Sequence, residues 1–205
     1  MTELKRFSLI FLLLFAGVFQ LTAQQKSIKF DTYTIEDGIS QSQVTSIQQD
    51  QYGYIWIATQ DGLNRFDGYN FKVYKNETEN ENSLPNNYVH MLLEDDMHNL
   101  WFGTNRGIAK MNPSNGDISK INRTEYPDLK GYIFTHLSFD KGGKLWALSE
   151  KNGINVIDLQ SKKVEVIEEI QGTSVFSALY TDDQKTVSIG TKNDQIFHAH
   201  SQSTD

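Results

Sequence analysis

The sequence predicts an all-β protein made of four-stranded antiparallel sheets that are arranged as propeller blades. A segment centred on a tryptophan recurs every 45 residues, and all three tryptophans of the chain, Trp56, Trp101 and Trp146, stand in this register. After residue 23, no stretch repeats apolar side chains at the i, i+3, i+4 spacing of an amphipathic helix over three turns. A period near 45 with strand-type patterning is typical of propeller blades rather than of helical solenoids.

The first repeat shows how one blade is expected to form. Val44 to Ile47 is an extended, largely β-branched run, followed by strands at Tyr54 to Thr59, Leu63 to Phe66 and Phe71 to Tyr74. Short polar turns separate the strands, and Gly62 supplies the positive φ that a tight turn needs. The second and third repeats keep this order with Val89–Leu92, Leu100–Thr104, Ile108–Met111 and Ile118–Ile121, then Phe134–Leu137, Leu145–Leu148, Ile154–Ile157 and Val164–Ile167.

The later repeats depart from the pattern in two places. The third carries one extra residue between Trp146 and Gly153, which a surface turn tolerates at little cost. The fourth lacks the tryptophan, whose position Ser188 takes. Its strands are expected at Val175–Leu179, Thr186–Thr191 and Gln195–His200, and its turn contains Asp182.

The two ends of the repeat region leave the number of blades open. Residues 28–33 resemble the fourth strand of a repeat, which brings the predicted total to sixteen strands, or four permuted blades. The chain is therefore either a closed four-bladed ring or, as the polar stretch at 201–205 favours, the opening portion of a larger propeller. The predicted segments are a signal peptide at 1–23 and a partial propeller at 24–205, with a closing strand and linker at about 28–43 and repeats at about 44–88, 89–133, 134–173 and 174–205.

The first 23 residues have the layout of a secretory signal peptide. Lys5 and Arg6 precede an apolar run of thirteen residues, and Ala23 offers a cleavage site. The run is shorter than the roughly 20 residues that a membrane-spanning helix needs. An uncleaved anchor is the alternative, because Leu21 is bulky for the position that precedes the cleavage site by three residues. We therefore expect a periplasmic protein.

Charge and composition exclude several classes of function. The formal net charge is −7, and −8 without the first 23 residues, so neither nucleic acid nor anionic lipid is an expected partner. The chain has no cysteine, which excludes disulfides and a lipid-modified cysteine. Only His198 and His200 share one face of a strand, and they lack a third ligand. We find no catalytic or phosphate-binding motif and expect no metal, no cofactor and no enzymatic activity.

Some repeated positions are predicted to be structural. Regular mid-strand spacing favours packing between blades for the tryptophans over an exposed sugar-stacking role. The aspartate six residues before each tryptophan is expected to accept protons from turn amides, since a calcium site needs more converging oxygens. These structural positions are Trp56, Trp101, Trp146, Asp50, Asp95, Asp140, Gly62, Gly107 and Gly153.

The connectivity of a blade predicts one ligand-binding rim. The loop that enters the first strand and the turn between the second and third strands lie at the same end of an up-and-down sheet, and we call this end the rim. Amide, aromatic and basic side chains there suit sugar hydroxyls, although ordinary polar turns are the alternative. The candidate ligand-binding residues are Gln60, Asp61, Asn86, Asn87, Tyr88, Asn105, Arg106, Tyr132 and Lys151; Gln41, Gln43, Glu150 and Asn152 share the rim.

A family resemblance rests on these same segments. Gly38–Ile47 and Gly53–Gly68 resemble the two-component regulator propeller repeat, and Trp101–Ile108 matches nearly as well. The third copy departs from the pattern at Ala147-Leu148-Ser149, and the fourth departs at its missing tryptophan.

The resemblance implies the exported sensor region of a hybrid two-component regulator of the Bacteroidetes type. In that family, two propellers of about seven blades lead to an immunoglobulin-like domain, a membrane helix and a cytoplasmic histidine kinase, and the ligands are typically oligosaccharides. It implies a periplasmic ligand-sensing fragment that passes its signal to a kinase or further propeller segments absent from this chain, and a homodimeric intact receptor anchored in the inner membrane. The alternatives are a self-contained propeller interaction scaffold, and a propeller lyase or glycosidase, because Asp-x-x-Gly-x-x-Trp is similar to the aspartate box of sialidases.

Overall fold

A computed structural model describes residues 28–169, 176–181, 186–191 and 195–199. The predicted signal peptide, Val175, Asp182, His200 and the polar end at 201–205 lie outside the described residues. Residues 28–32 and the residues from Tyr33 onward fall into separate units, and all the strands belong to the second. Among the described residues, no helix has the length and apolarity needed to cross a membrane.

The strands form four antiparallel sheets, which confirms the predicted propeller-blade architecture. We call the sheets blades 1 to 4, and in each the strands are neighbours in chain order. Blade 1 contains β1 (Val44–Gln49), β2 (Ile55–Thr59), β3 (Gly62–Phe66) and β4 (Phe71–Tyr74). Blade 2 contains β5 (Val89–Glu94), β6 (Leu100–Thr104), β7 (Gly107–Met111) and β8 (Ile118–Ile121). Blade 3 contains β9 (Phe134–Phe139), β10 (Leu145–Ser149), β11 (Gly153–Ile157) and β12 (Val164–Ile167), and blade 4 contains β13 (Phe176–Thr181), β14 (Val187–Thr191) and β15 (Ile196–Ala199).

The first strand of every blade is bulged at the same position. The register shifts between Val44 and Ser46 in β1, between Val89 and Met91 in β5, and likewise in β9 and β13. A bulge bends a strand and sharpens its twist, so its repetition gives the four blades the same shape. In blade 1 the bulged residue, Thr45, donates its hydroxyl to the carbonyl of Val89 at 2.6 Å, which links the two innermost strands.

The core lies between successive blades rather than within any one of them. Each four-stranded sheet presents one apolar face to the next, and stacking buries both faces. Trp56 is fully buried and packs against blade 2, Trp101 is 3% exposed against blade 3, and Trp146 is 9% exposed against blade 4. The fully buried residues that meet these faces include Ala58, Leu63, Leu100, Phe102, Ile108, Phe134, Leu145, Ile154 and Val187.

Blades 2 and 3 come into close backbone contact at Gly103. A Cβ atom on this glycine would lie 2.3 Å from the carbonyl oxygen of Phe134, inside any allowed van der Waals distance. The glycine therefore lets the backbone of β6 lie directly against that of β9.

The structure differs from the sequence prediction at the two ends of the repeat region. The strand predicted at 28–33 is wrong, because residues 28–34 belong to no strand and are followed by a short 3-10 turn at Ile35–Asp37. Blade 4 has three described strands, so the described residues contain fifteen strands rather than sixteen. Ile28 and Phe30 are 76% and 84% exposed. Alternating apolar residues are not enough for a strand, which also needs a partner for its backbone N–H and C=O groups.

Candidate ligand-binding rim

Backbone hydrogen bonds hold the rim together from blade to blade. In each of the first three blades, the turn between the second and third strands donates to the segment that enters the first strand of the same blade. The pairs are Gln60 to Gln43, Asn105 to Tyr88, and Glu150 to Ile133, at 3.0–3.3 Å. The glycine that ends the turn then donates to the segment that enters the next blade. These pairs are Gly62 to Asn87 at 2.8 Å and Gly107 to Tyr132 at 2.7 Å.

A ladder of polar side chains crosses from blade 1 to blade 2 at the rim. Gln60 Nε2 donates to the hydroxyl of Tyr88 at 3.2 Å. The ring of Tyr88 lies 4.5 Å from that of His90, whose Nε2 is 2.7 Å from Asn105 Oδ1. Because an amide oxygen only accepts, His90 Nε2 carries the proton in this contact. The structure thus brings three predicted residues together and adds His90, which was not among the predicted rim residues because it lies on β5 and not in a rim loop.

Asp61 and Asn87 are brought together, but by contacts within the protein. Lys75 Nζ lies 2.6 Å from Asp61 Oδ2, and Asn87 Nδ2 donates to Asp61 Oδ1 at 3.0 Å. The hydrogen bond from Lys75 holds the pKa of Asp61 below its ordinary value. Asn87 Oδ1 also accepts from the amide of Asn76 at 2.7 Å, and Asn86 Oδ1 accepts from the amide of Tyr88 at 2.9 Å. These three predicted residues therefore shape the loop between blades 1 and 2.

Tyr132 presents an aromatic face that a basic side chain holds in place. The guanidinium carbon of Arg123 lies 4.2 Å from the centre of the Tyr132 ring, and Arg123 Nη1 donates to the Tyr132 hydroxyl at 2.7 Å. Arg123 is fixed in turn by bonds to the carbonyls of Leu129 and Gly131. Tyr132 is 62% exposed. Arg123 was missed because it stands nine residues away in a long crossover, where spacing predicts no contact.

Arg106 and Lys151 complete the predicted set as exposed side chains of the second and third rim turns. Neither side chain makes a hydrogen bond or an ion pair with another described residue. Their charges are therefore available to a ligand that lies along the rim.

Two imidazoles line the inner strands below the rim. His136 lies on β9, half-buried, and its Nδ1 is 3.2 Å from the hydroxyl of Thr135. Burial lowers the pKa of His136, and the charge of His90 on β5 lowers it further. His136 is consequently a neutral imidazole near pH 7 and can both donate and accept hydrogen bonds.

The repeated aspartates and tryptophans form one structural unit. Asp50 Oδ1 accepts from the amides of Tyr52 and Tyr54 at 2.9 and 3.0 Å, which is the turn role that the sequence suggests. The other oxygen of each aspartate accepts a hydrogen bond from the indole N–H of the tryptophan six residues later. This bond was not predicted from the sequence. The distances are 2.7 Å for Trp56 to Asp50, 2.8 Å for Trp101 to Asp95 and 3.0 Å for Trp146 to Asp140.

The described residues contain no group of three or more histidine, cysteine, aspartate or glutamate side chains placed to hold a metal ion. His198 instead contacts the hydroxyl of Ser188 at 2.9 Å.

Two of the repeats match the model of a known protein family. The family model for the two-component regulator propeller matches residues 38–61 and 83–106. Each match runs from the loop that enters a blade to the turn after the second strand, in blades 1 and 2. The chain carries two-component regulator propeller repeats.

Three relatives place these repeats in a wider context. A histidine kinase of Formosa agariphila is 47% identical over 64 residues, which is 31% of this chain and 5% of that protein. The extracellular domains of two putative hybrid two-component systems from B. thetaiotaomicron share the fold, with TM-scores of 0.62 and 0.66 at 21% and 19% identity. The matches cover 85% and 89% of this chain but 31% and 27% of those domains. The chain thus spans less than a third of the length of each of these three relatives.

Proposed function

We propose that this chain is the ligand-contacting part of the sensor in a hybrid two-component regulator. The observation that carries the proposal is the pair of two-component regulator propeller repeats at residues 38–61 and 83–106, which supply the first two strands of blades 1 and 2 in a propeller-like fold. The similarity of 64 residues to a histidine kinase supports a link between these repeats and kinase-bearing proteins.

The proposed ligand is an oligosaccharide bound along the rim. Sugars offer many hydroxyl groups and weakly apolar ring faces, so they need neutral donors and acceptors together with flat aromatic surfaces. Gln60, Tyr88 and Asn105 supply the first kind of group, and the exposed face of Tyr132 supplies the second. His136 adds a neutral imidazole beneath them.

The proposed output is a rearrangement of domains that reaches a histidine kinase. The rim turns are joined by backbone hydrogen bonds from blade 1 through blade 3, so a ligand that contacts one turn is coupled to its neighbours. The partners would be further propeller segments and the kinase of the same system, in a homodimeric receptor of the inner membrane. This role places the chain in the periplasm after export through its signal peptide, and it requires no enzymatic step.

Titration of oligosaccharide fragments of plant and microbial polysaccharides into the purified chain, followed by calorimetry, tests the proposal. Arg106→Ala, Lys151→Ala and Tyr132→Ala change exposed rim side chains, and each is expected to weaken binding about tenfold, or about 1.4 kcal/mol. Lys141→Ala, in an exposed turn at the opposite end of blade 3, is the control and should bind as the unaltered chain does. Equal oligosaccharide affinity of all four variants would contradict a binding site on the rim.

A further inference from the structure

A large cavity lies away from the rim, between blades 2 and 3. Its volume is about 1350 Å³, and we call it the interblade cleft. Its walls include the β5–β6, β7–β8, β9–β10 and β11–β12 turns, which belong to the end of the blades opposite the rim. None of the nine candidate rim residues lines it. The cleft is therefore separate from the proposed sugar site.

Two changes between successive repeats explain why the cleft exists. In blade 1, Tyr54 and Tyr74 pack against the cluster between blades 1 and 2, and the Tyr74 ring lies 5.6 Å from that of Trp56. The same positions in blade 2, just before β6 and at the end of β8, hold Asn99 and Ile121. Two aromatic rings are thus replaced by smaller side chains, and the space beside the second tryptophan stays open.

The floor of the cleft is apolar and is formed by aromatic and methionine side chains. Trp101 and Phe139 meet edge to face with ring centres 5.5 Å apart, and Met91 lies beside them. At the mouth, Met97 is 76% exposed and Tyr180 is 64% exposed. Methionine side chains adapt to irregular apolar partners, and exposed apolar patches of this kind mark interaction sites.

The walls of the cleft are acidic. Six carboxylates line it, at Glu81, Glu94, Asp95, Asp96, Asp117 and Glu125, against the two cations Lys110 and Lys120. Lys110 Nζ already lies 5.6 Å from the centre of the Trp101 ring, so the indole face accepts a cation. The surplus of negative charge repels an anionic ligand and favours a cationic one.

We propose that the interblade cleft binds a basic, apolar peptide segment of a partner protein. An apolar floor ringed by carboxylates complements a peptide that alternates lysine or arginine with leucine or phenylalanine. The cavity exceeds the 300–1,000 Å³ that is usual for small-molecule sites, so it has room for several side chains. Because none of the nine candidate rim residues lines the cleft, a peptide and a rim ligand can be bound together.

The methionines report on the cleft directly. The chain has four, of which Met91 and Met97 line the cleft and Met111 is fully buried between blades 1 and 2. We would label the methionine methyl groups with carbon-13 and titrate a synthetic peptide of alternating lysine, leucine and phenylalanine. The methyl chemical shifts of Met91 and Met97 are expected to change until the peptide saturates the cleft, while the chemical shift of Met111 stays unchanged. The same peptide with glutamate for lysine should produce no shift.

Substitutions at Ile121 test the proposal by changing the free volume of the cleft. Ile121→Tyr installs the residue that packs at this position in blade 1, so the fold is expected to hold while peptide affinity falls about tenfold. Ile121→Val keeps the cleft open and is the control. Replacing Asp96 by Asn and Glu125 by Gln together should also weaken binding and flatten its dependence on salt. Unchanged affinity in Ile121→Tyr, equal shifts at all three methionines, or equal shifts with the glutamate peptide or a neutral oligosaccharide would overturn the proposal.

Discussion

At the scale of single residues, each of the first three blades depends on an aspartate that satisfies a turn and an indole together. Asp50 accepts two backbone amides with one oxygen and the Trp56 N–H with the other. It is 5% exposed, and Trp56 is fully buried. A buried indole without an acceptor would lose a hydrogen bond to a charged group, which is worth about 1.5–3 kcal/mol.

Asp50→Ala is accordingly expected to lower the free energy of unfolding by about 2–4 kcal/mol, since two turn amides and one indole lose their acceptor. Asp67 is a matched control, because it also accepts two turn amides, from Tyr69 and Asn70, but contacts no tryptophan. Asp67→Ala should lower the free energy of unfolding by clearly less than Asp50→Ala does. Urea unfolding monitored by tryptophan fluorescence measures both, and equal losses would contradict a structural role for the indole bond.

The second aspartate of this kind predicts how stability depends on pH. Partial burial raises the pKa of Asp95, but hydrogen bonds from Trp101 and Asn99 outweigh burial and hold it below the ordinary 3.8. A carboxylate with a depressed pKa contributes stability above its unfolded pKa, and this contribution disappears as the pH falls through the folded pKa.

We therefore expect the urea midpoint of the unaltered chain to fall as the pH drops below about 3.8, and that of Asp95→Asn to fall less. The pKa values of Asp61, Asp67 and Asp158 are lowered as well, and these residues are present in both proteins, so the informative quantity is the difference between the two pH profiles. Parallel profiles would show that the Trp101 bond does not lower the pKa of Asp95.

At the scale of elements, buried asparagines attach the incoming chain to its blade. Asn155 on β11 is fully buried, accepts from the amide of Lys130 at 2.8 Å and donates to the Lys130 carbonyl at 3.0 Å. In blade 1, Asn64 likewise accepts from the amide of Ser40, at 2.8 Å, but it donates to the Ser40 hydroxyl, at 2.9 Å, rather than to the carbonyl. Blade 2 has Ala109 at this position. The crossover into blade 3 is thus fixed by a buried asparagine of blade 3 itself, whereas the crossover into blade 2 is held by Asn76 and Asn87, which lie within the crossover.

Asn155→Ala should destabilise the chain by about 1–3 kcal/mol, because the backbone groups of Lys130 lose their partners inside the fold. Hydrogen exchange at the Lys130 amide should accelerate along with the loss of stability. Asn115→Ala, in the exposed β7–β8 turn, is expected to change stability by about 0.5 kcal/mol or less. Protection of the Lys130 amide in Asn155→Ala would mean that packing alone holds the crossover.

At the scale of the whole molecule, equivalent faces of blades 1 and 2 have different surroundings. Leu92 on β5 is 5% exposed beneath blade 1. The corresponding Ile47 on β1 is 62% exposed, and Tyr33 and Val73 on the same face are 49% and 37% exposed. The apolar pattern of the repeat is the same in both, so coverage by a neighbouring blade is what separates them.

Ile47→Asp and Leu92→Asp form a matched pair that measures this coverage. A charge at Leu92 would be buried without a partner and should cost about 3–5 kcal/mol. A charge at Ile47 reaches water and should change the free energy of unfolding by less than about 1 kcal/mol. Sedimentation of both proteins, measured alongside the unfolding curves, reports whether either one associates in solution. A comparable loss at Ile47 would indicate that this face is covered in solution.

The rim shows which parts of a site the sequence can predict. Connectivity placed all nine candidates at one end, because the strand count of a blade decides on which side each loop emerges. It could not tell which of them are engaged within the protein: Asp61 and Asn87 bond to Lys75 and Asn76, whereas Arg106 extends into solvent. Those pairings depend on side-chain reach between segments that the repeat pattern does not compare.

By itself, the sequence determined the blade: the alternation within each strand, the glycine turns and the tryptophan every 45 residues are local signals, and local signals specify local structure. The tertiary structure decided what happens between blades. The indole bond to each aspartate, the polar ladder at Tyr88 and His90, the absence of a strand at 28–34 and the interblade cleft beside Trp101 all depend on which surfaces meet. Two smaller side chains opened that cleft without disturbing the repeat, because blade shape depends on the backbone pattern and the fit between blades depends on volume.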